Sequence, residues 1–84
     1  HIGWNSLIFH KKSNIFNEIN EKALFYFLHS YYMICNDLED IVTSTKYEIK
    51  FVSSIHKNNI YGMQFHPEKS HDWGNKVFKN FLKI

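Results

Sequence analysis

Apolar and polar positions alternate in blocks along the chain, and the blocks differ in kind. "WNSLIF", Trp4 to Phe9, becomes apolar towards its end and carries β-branched Ile8, which predicts a strand. The polar stretch "HKKSNIFNEINEK" holds Ile15, Phe16 and Ile19. The i, i+4 spacing of Ile15 and Ile19 allows one or two helical turns with Ser13 or Asn14 as cap. "ALFYFLHSYYMIC", Ala23 to Cys35, is an almost unbroken aromatic run. Periodicity does not separate a strand buried on both faces from a buried helix here, and the aromatic content favours a strand. After the polar break "NDLED", two short strands are expected, Ile41 to Thr45 and Ile49 to His56. Lys57, Asn58 and Asn59 read as a hairpin turn because Asn tolerates positive φ, and "IYGMQF" is the returning strand. Trp73, Val77, Phe78, Phe81 and Leu82 recur with helical period. They predict an amphipathic helix that is capped by Ser70, carries lysines on its outer face and buries its apolar stripe in the core.

No repeat, linker or low-complexity segment interrupts this order. Strands dominate, and their apolar faces are poorly covered by the one predicted helix. The expectation is an α/β domain seen in part, with the missing helices preceding His1. Composition sharpens this picture. At 84 residues the chain is at most one domain, yet 44% of it is hydrophobic and 18% aromatic, too apolar for a disordered chain. The net charge is +2, with lysines scattered among acids and no arginine, so no basic stripe points to nucleic acid. No apolar run reaches membrane-spanning length, and no signal peptide opens the chain. The single cysteine, Cys35, excludes a disulfide framework and fits a reducing cytoplasm. The histidines show no ligand spacing on one element with a second acid in reach, so no metal site is expected.

One stretch carries candidate chemistry: "YGMQFHPEKS", Tyr61 to Ser70. Pro67 pushes His66 out of the helical region into extended geometry. If the segment stays extended, residues two apart share a side at roughly 6.6 Å by strand rise. The Glu68 carboxylate then reaches one imidazole nitrogen and leaves the other facing outward to take a proton. That is the base-and-orienter half of a nucleophilic triad. The bland alternative is a strand that simply stops at its proline. Cys35 is the sole cysteine, and without a Gly-rich turn it reads as a small buried hydrophobe, not as a nucleophile.

The same ten residues resemble the C-terminal signature of the class I, triad-type glutamine amidotransferases. "HIGWN", His1 to Asn5, and "FYFLHSYY", Phe25 to Tyr32, further resemble the glutaminase subunits of imidazole glycerol phosphate synthases, in the same order and at similar spacing. "NDLEDIVTSTKYEIK" carries no motif of either kind. The resemblance implies a flavodoxin-like three-layer α/β/α domain, of which residues 1–84 would be the C-terminal part, without the nucleophile-bearing part. It implies a Cys-His-Glu triad with His66 as general base and Glu68 fixing its tautomer. The backbone of His29, Ser30 and Tyr31 would hold the α-amino and carboxylate end of L-glutamine. Trp4, Tyr26 and Lys69 would face a (β/α)₈-barrel cyclase subunit, which receives the released ammonia for histidine biosynthesis. No cofactor is implied, and the 84 residues alone are expected to be inactive. A related amidotransferase for surface sugars and a non-catalytic α/β assembly module are the competing readings.

Without the resemblance, the same side chains have plainer roles. Trp4 and Tyr26 serve equally as core aromatics, Lys69 as a solvated charge and His29 as a satisfied buried histidine. His10, His56 and His71 read as surface residues.

Overall fold

A computed structural model describes residues 2–84; His1, the first residue of the "HIGWN" motif, lies outside them. Six strands are followed by one α-helix among the described residues: β1 (Ile2–Ser6), β2 (Ile8–Phe9), β3 (Leu24–Leu28), β4 (Ile41–Tyr47), β5 (Ile49–Lys57), β6 (Ile60–Met63) and α1 (His71–Leu82). β1 and β3 form an antiparallel pair, and β2-β4-β5-β6 form a four-stranded antiparallel sheet. A strand-rich chain closed by a C-terminal helix is what the apolar pattern predicts, and it is compatible with part of an α/β domain.

Several boundaries differ from the sequence reading for identifiable reasons. The strand expected over Trp4 to Phe9 is broken at Leu7, which is buried, and its halves pair with different partners, β3 and β4. Ile15 and Ile19 are both buried, but only a three-residue 3₁₀ turn, Asn14–Phe16, forms there, and Ser13 makes no side-chain cap. The aromatic run is not a two-faced buried strand. Only Leu24–Leu28 is extended; Phe25 and Phe27 point inward while Leu24 and Leu28 are exposed, the alternation of a half-buried strand. The β5–β6 hairpin turns at Asn58, which adopts φ 55° as its side chain allows.

The core is an aromatic cluster beneath the point where β3 meets the end of β6. Phe25 and Phe65 lie 4.5 Å apart by ring centroid, Phe27 and Phe65 5.9 Å, and Phe27 and Phe51 5.7 Å. An isolated antiparallel bridge joins Phe27 to Phe65 and so connects the two sheets. The stripe predicted for α1 as core is only partly buried. Val77 is enclosed and Trp73 packs against the cluster, but Phe78, Phe81 and Leu82 are exposed. The buried face turns instead through Gly74, Val77 and Asn80, whose amide donates to the carbonyls of Ile15 and Asn17 at 3.0 and 2.9 Å. These bonds satisfy two backbone acceptors of the 3₁₀ region and lock the helix by polar as well as apolar contact.

Candidate active site

After the Phe27–Phe65 bridge the chain reaches His66, still extended at φ −105° and ψ 98°. Pro67 then starts a 3₁₀ turn, Pro67–Lys69, at the position where its missing N–H costs nothing. Glu68 therefore does not continue an extended segment, which corrects the expectation from the two-residue spacing. The turn itself swings the carboxylate back to the ring, and His66 Nδ1 lies 3.3 Å from Glu68 Oε2. Glu68's own backbone N–H, and then the His66 side chain, hold its carboxyl below the usual carboxylate range.

The other ring nitrogen is not left facing outward. His66 Nε2 lies 3.2 Å from the carbonyl oxygen of Leu28, at the end of β3. Both neighbours of the ring are acceptors, so both contacts are hydrogen bonds only when the imidazole carries two protons. A neutral ring donates to one of them and points a lone pair at the other. The ring side chain is 35% exposed, so this contact is open to solvent and not sealed in hydrocarbon.

Backbone bonds fix the turn. His66 N–H donates to the Tyr26 carbonyl at 2.9 Å, Lys69 N–H to the His66 carbonyl at 3.0 Å and Ser70 N–H to the Pro67 carbonyl at 3.0 Å. Ser70 occupies the N-cap position of α1 but makes no capping bond with its side chain, contrary to expectation. Its hydroxyl is spent elsewhere, accepting from Tyr26 N–H at 2.9 Å and donating to the His66 carbonyl at 2.6 Å. Gly74 lets the helix close on the turn: a Cβ there would lie 1.8 Å from the Pro67 carbonyl oxygen.

The remaining predicted residues divide into two groups. His29, Ser30 and Tyr31 leave the end of β3 beside the His66 ring, whose Nε2 contacts the carbonyl just before them. The His29 ring packs on Phe27, Tyr32 and Phe51, and its Nδ1–H donates to the Tyr31 carbonyl at 3.0 Å. Burial pushes its pKa below the ordinary 6.5, partly opposed by that bond. Trp4 and Tyr26 are opposed across β1 and β3, edge to face at 5.6 Å, and His71 stacks on Trp4 at 5.2 Å. Trp4 is 42% exposed, so this is a surface aromatic group and not core. Lys69 is exposed next to Glu68. His10 and His71 are exposed as expected, whereas His56 is half-buried, stacked on Tyr61 at 4.1 Å. Cys35 is half-buried and its thiol donates to the Asp37 carbonyl at 3.1 Å.

Three features escaped the sequence reading. The Leu28 carbonyl is a backbone atom and has no sequence signal. Gln64 was noticed only as part of a pattern, yet its Oε1 accepts from Met33 N–H at 2.8 Å and ties the segment after β3 to the site strand. Gly74 could have been found, because a glycine inside a predicted helix costs about 1 kcal/mol against alanine and asks for a packing reason.

The sequence is similar to known proteins over its whole length. The family model described as glutamine amidotransferase class-I matches residues 1–84, the whole chain. The chain belongs to the class I glutamine amidotransferases. Among curated relatives, "Imidazole glycerol phosphate synthase subunit HisH 2" of Methanococcus maripaludis is 49% identical over 83 residues, 99% of this chain and 41% of that protein. The protein of the same name from Pseudomonas aeruginosa is 45% identical over 84 residues, all of this chain and 42% of its own length. "Imidazole glycerol phosphate synthase subunit HisH" of Buchnera aphidicola subsp. Schizaphis graminum is likewise 45% identical over 84 residues and 42% of its length. This amidotransferase chain thus spans about two fifths of the length of the relatives it matches. Among its described residues, no helix is long and apolar enough to cross a membrane.

Proposed function

We propose that this chain is the C-terminal part of a glutamine amidotransferase subunit of imidazole glycerol phosphate synthase, acting in the cytoplasm in histidine biosynthesis. The subunit hydrolyses L-glutamine to glutamate and ammonia, and the ammonia passes to a (β/α)₈-barrel cyclase. The observation that carries this reading is the His66–Glu68 pair at 3.3 Å, built by the turn of the "QFHPE" motif in a chain 45–49% identical to such subunits.

In the proposed chemistry His66 accepts the proton of a cysteine thiol and later returns a proton to the departing ammonia. Glu68 holds the Nδ1 proton, keeps the ring in the tautomer whose Nε2 is the base, and stabilises the imidazolium once it forms. Nε2 must leave the Leu28 carbonyl to receive the thiol proton, and the imidazolium can then return to it. The sequence contains no Gly-x-Cys-x-Gly run, and the Cys35 thiol is engaged with the Asp37 carbonyl, so this reading requires a thiol supplied from outside these 84 residues. The backbone of His29, Ser30 and Tyr31, adjoining the ring, suits the polar end of glutamine. Exposed Trp4 packed on half-buried Tyr26, together with exposed Lys69 in the Pro67–Lys69 turn, suits a docking face for the cyclase.

The test uses the full-length subunit in complex with its cyclase. His66→Ala should reduce glutamine-driven turnover by roughly three orders of magnitude or more while ammonia-driven turnover persists. Survival of glutamine-driven turnover would remove His66 from the mechanism.

A further inference from the structure

We propose that Ser70 is a positioning residue for His66, acting through the peptide of Tyr26, and that helix capping is not its role. The inference rests on the catalytic reading of His66 above and goes beyond it by assigning a residue that acts on the base without touching substrate.

Four observations converge. Ser70 is fully buried, and its hydroxyl both accepts and donates a hydrogen bond. It stands at the N-cap of α1, where a serine hydroxyl ordinarily accepts from the helix's own first N–H groups, and it makes no such bond. Its oxygen instead accepts from Tyr26 N–H and its hydrogen goes to the His66 carbonyl. The circuit is closed by His66 N–H, which donates to the Tyr26 carbonyl. Both backbone polar groups of Tyr26, its N–H and its carbonyl, are thereby taken by the His66–Ser70 turn.

The reason lies in the proline. A strand running on from Phe65 would offer Tyr26 N–H a backbone acceptor, but Pro67 turns the chain away into a 3₁₀ turn. The Ser70 hydroxyl fills the place of the lost strand neighbour. It holds the His66 carbonyl against β3, while the His66 N–H is held separately by the Tyr26 carbonyl. Strand β3 also delivers the Leu28 carbonyl that faces His66 Nε2. A single hydroxyl therefore sets the ring relative both to Glu68, on its own turn, and to the end of β3.

The experiment compares Ser70→Ala and Ser70→Thr in the full-length subunit with its cyclase. For Ser70→Ala, kcat for glutamine hydrolysis should fall about 10- to 100-fold, the scale expected of a displaced catalytic group, with KM for glutamine changed less than about threefold. In a Glu68→Gln background the same substitution should cost less than about threefold, because the pair it aligns is already broken. Hydrogen exchange should show the Tyr26 amide losing protection while β4 and β5 amides keep theirs. Ser70→Thr retains the hydroxyl and should recover most of kcat; if its added methyl prevents folding, the Ser70→Ala measurements still decide. An unchanged kcat in Ser70→Ala, an undiminished effect in the Glu68→Gln background, or a Tyr26 amide as protected as in the wild type would each overturn the proposal. If the wild-type complex hydrolyses no glutamine, the functional reading fails instead, and Tyr26 exchange still reports on the clamp.

Discussion

The His66–Ser70 turn and the segment that follows β3, residues 29–37, adjoin each other at the Leu28 carbonyl but are built in opposite ways. The turn is held by backbone bonds at His66, Lys69 and Ser70, by a buried hydroxyl, and by a helix pressed against the Pro67 carbonyl. The other segment forms no helix or strand: one bridge, Met33–Val52, and the bond from Met33 to Gln64 tie it to the sheet, and its own bonds are local, His29 to Tyr31 and Cys35 to Asp37. Tyr31 is 85% exposed and Ile34 88%. The groups proposed to move a proton sit in a frame that fixes them before substrate arrives, whereas the segment proposed to hold glutamine stays open to it. On the proposed reading, preorganisation is concentrated where charge would develop.

This contrast can be broken from the rigid side first. After His66→Ala and Ser70→Ala, the largest expected effect is that of Gly74→Ala. The added methyl meets the Pro67 carbonyl, and helix and turn must part. Thermal or denaturant unfolding of the full-length subunit should show a loss of about 1–3 kcal/mol, the usual range for overpacking. The better helix propensity of alanine offsets only about 1 kcal/mol of it.

Acidification should separate the two regions with a smaller effect. Burial lowers the pKa of His29, so its contribution to stability is present above the ordinary 6.5 and fades as pH falls from there through the lowered folded value. Glu68, also lowered, contributes above 4.5 and loses that contribution only at still lower pH. The melting temperature should thus begin to fall below pH 6.5 on account of the 29–37 segment, while the turn responds later. In His29→Gln the decline in the upper window should flatten, and an unchanged pH profile would remove His29 as its source. The smallest effect belongs to Tyr31→Ala, which should change stability by less than about 0.5 kcal/mol because the ring is almost wholly in solvent.

The legibility of these regions in the sequence follows from the same difference. The sequence shows strands β4, β5 and β6 and the Asn58 turn to within two residues, since alternation and Asn chemistry are local signals. His66 and Glu68 were found as a pair, but the geometry that joins them was not. Spacing gave proximity on an extended chain, and Pro67 achieves it through a 3₁₀ turn. The aromatic run was overextended because composition cannot show that Tyr31, Tyr32 and Ile34 leave the sheet after Leu28. For α1, apolar residues marked the helix but not its buried face: Asn80 goes inward to meet two backbone carbonyls and Phe81 remains outside. Long-range partners decided each of these points, and a single sequence does not carry them.

Gly74 has a practical corollary. Because nothing larger than a hydrogen atom separates α1 from the Pro67 carbonyl at that position, the histidine turn and the first half of the helix form an indivisible block. A chimaera, loop graft or circular permutant whose junction falls between Pro67 and Val77 would divide that block, whereas one that exchanges Phe65 to Leu82 intact would carry His66, Glu68 and the helix that braces them together.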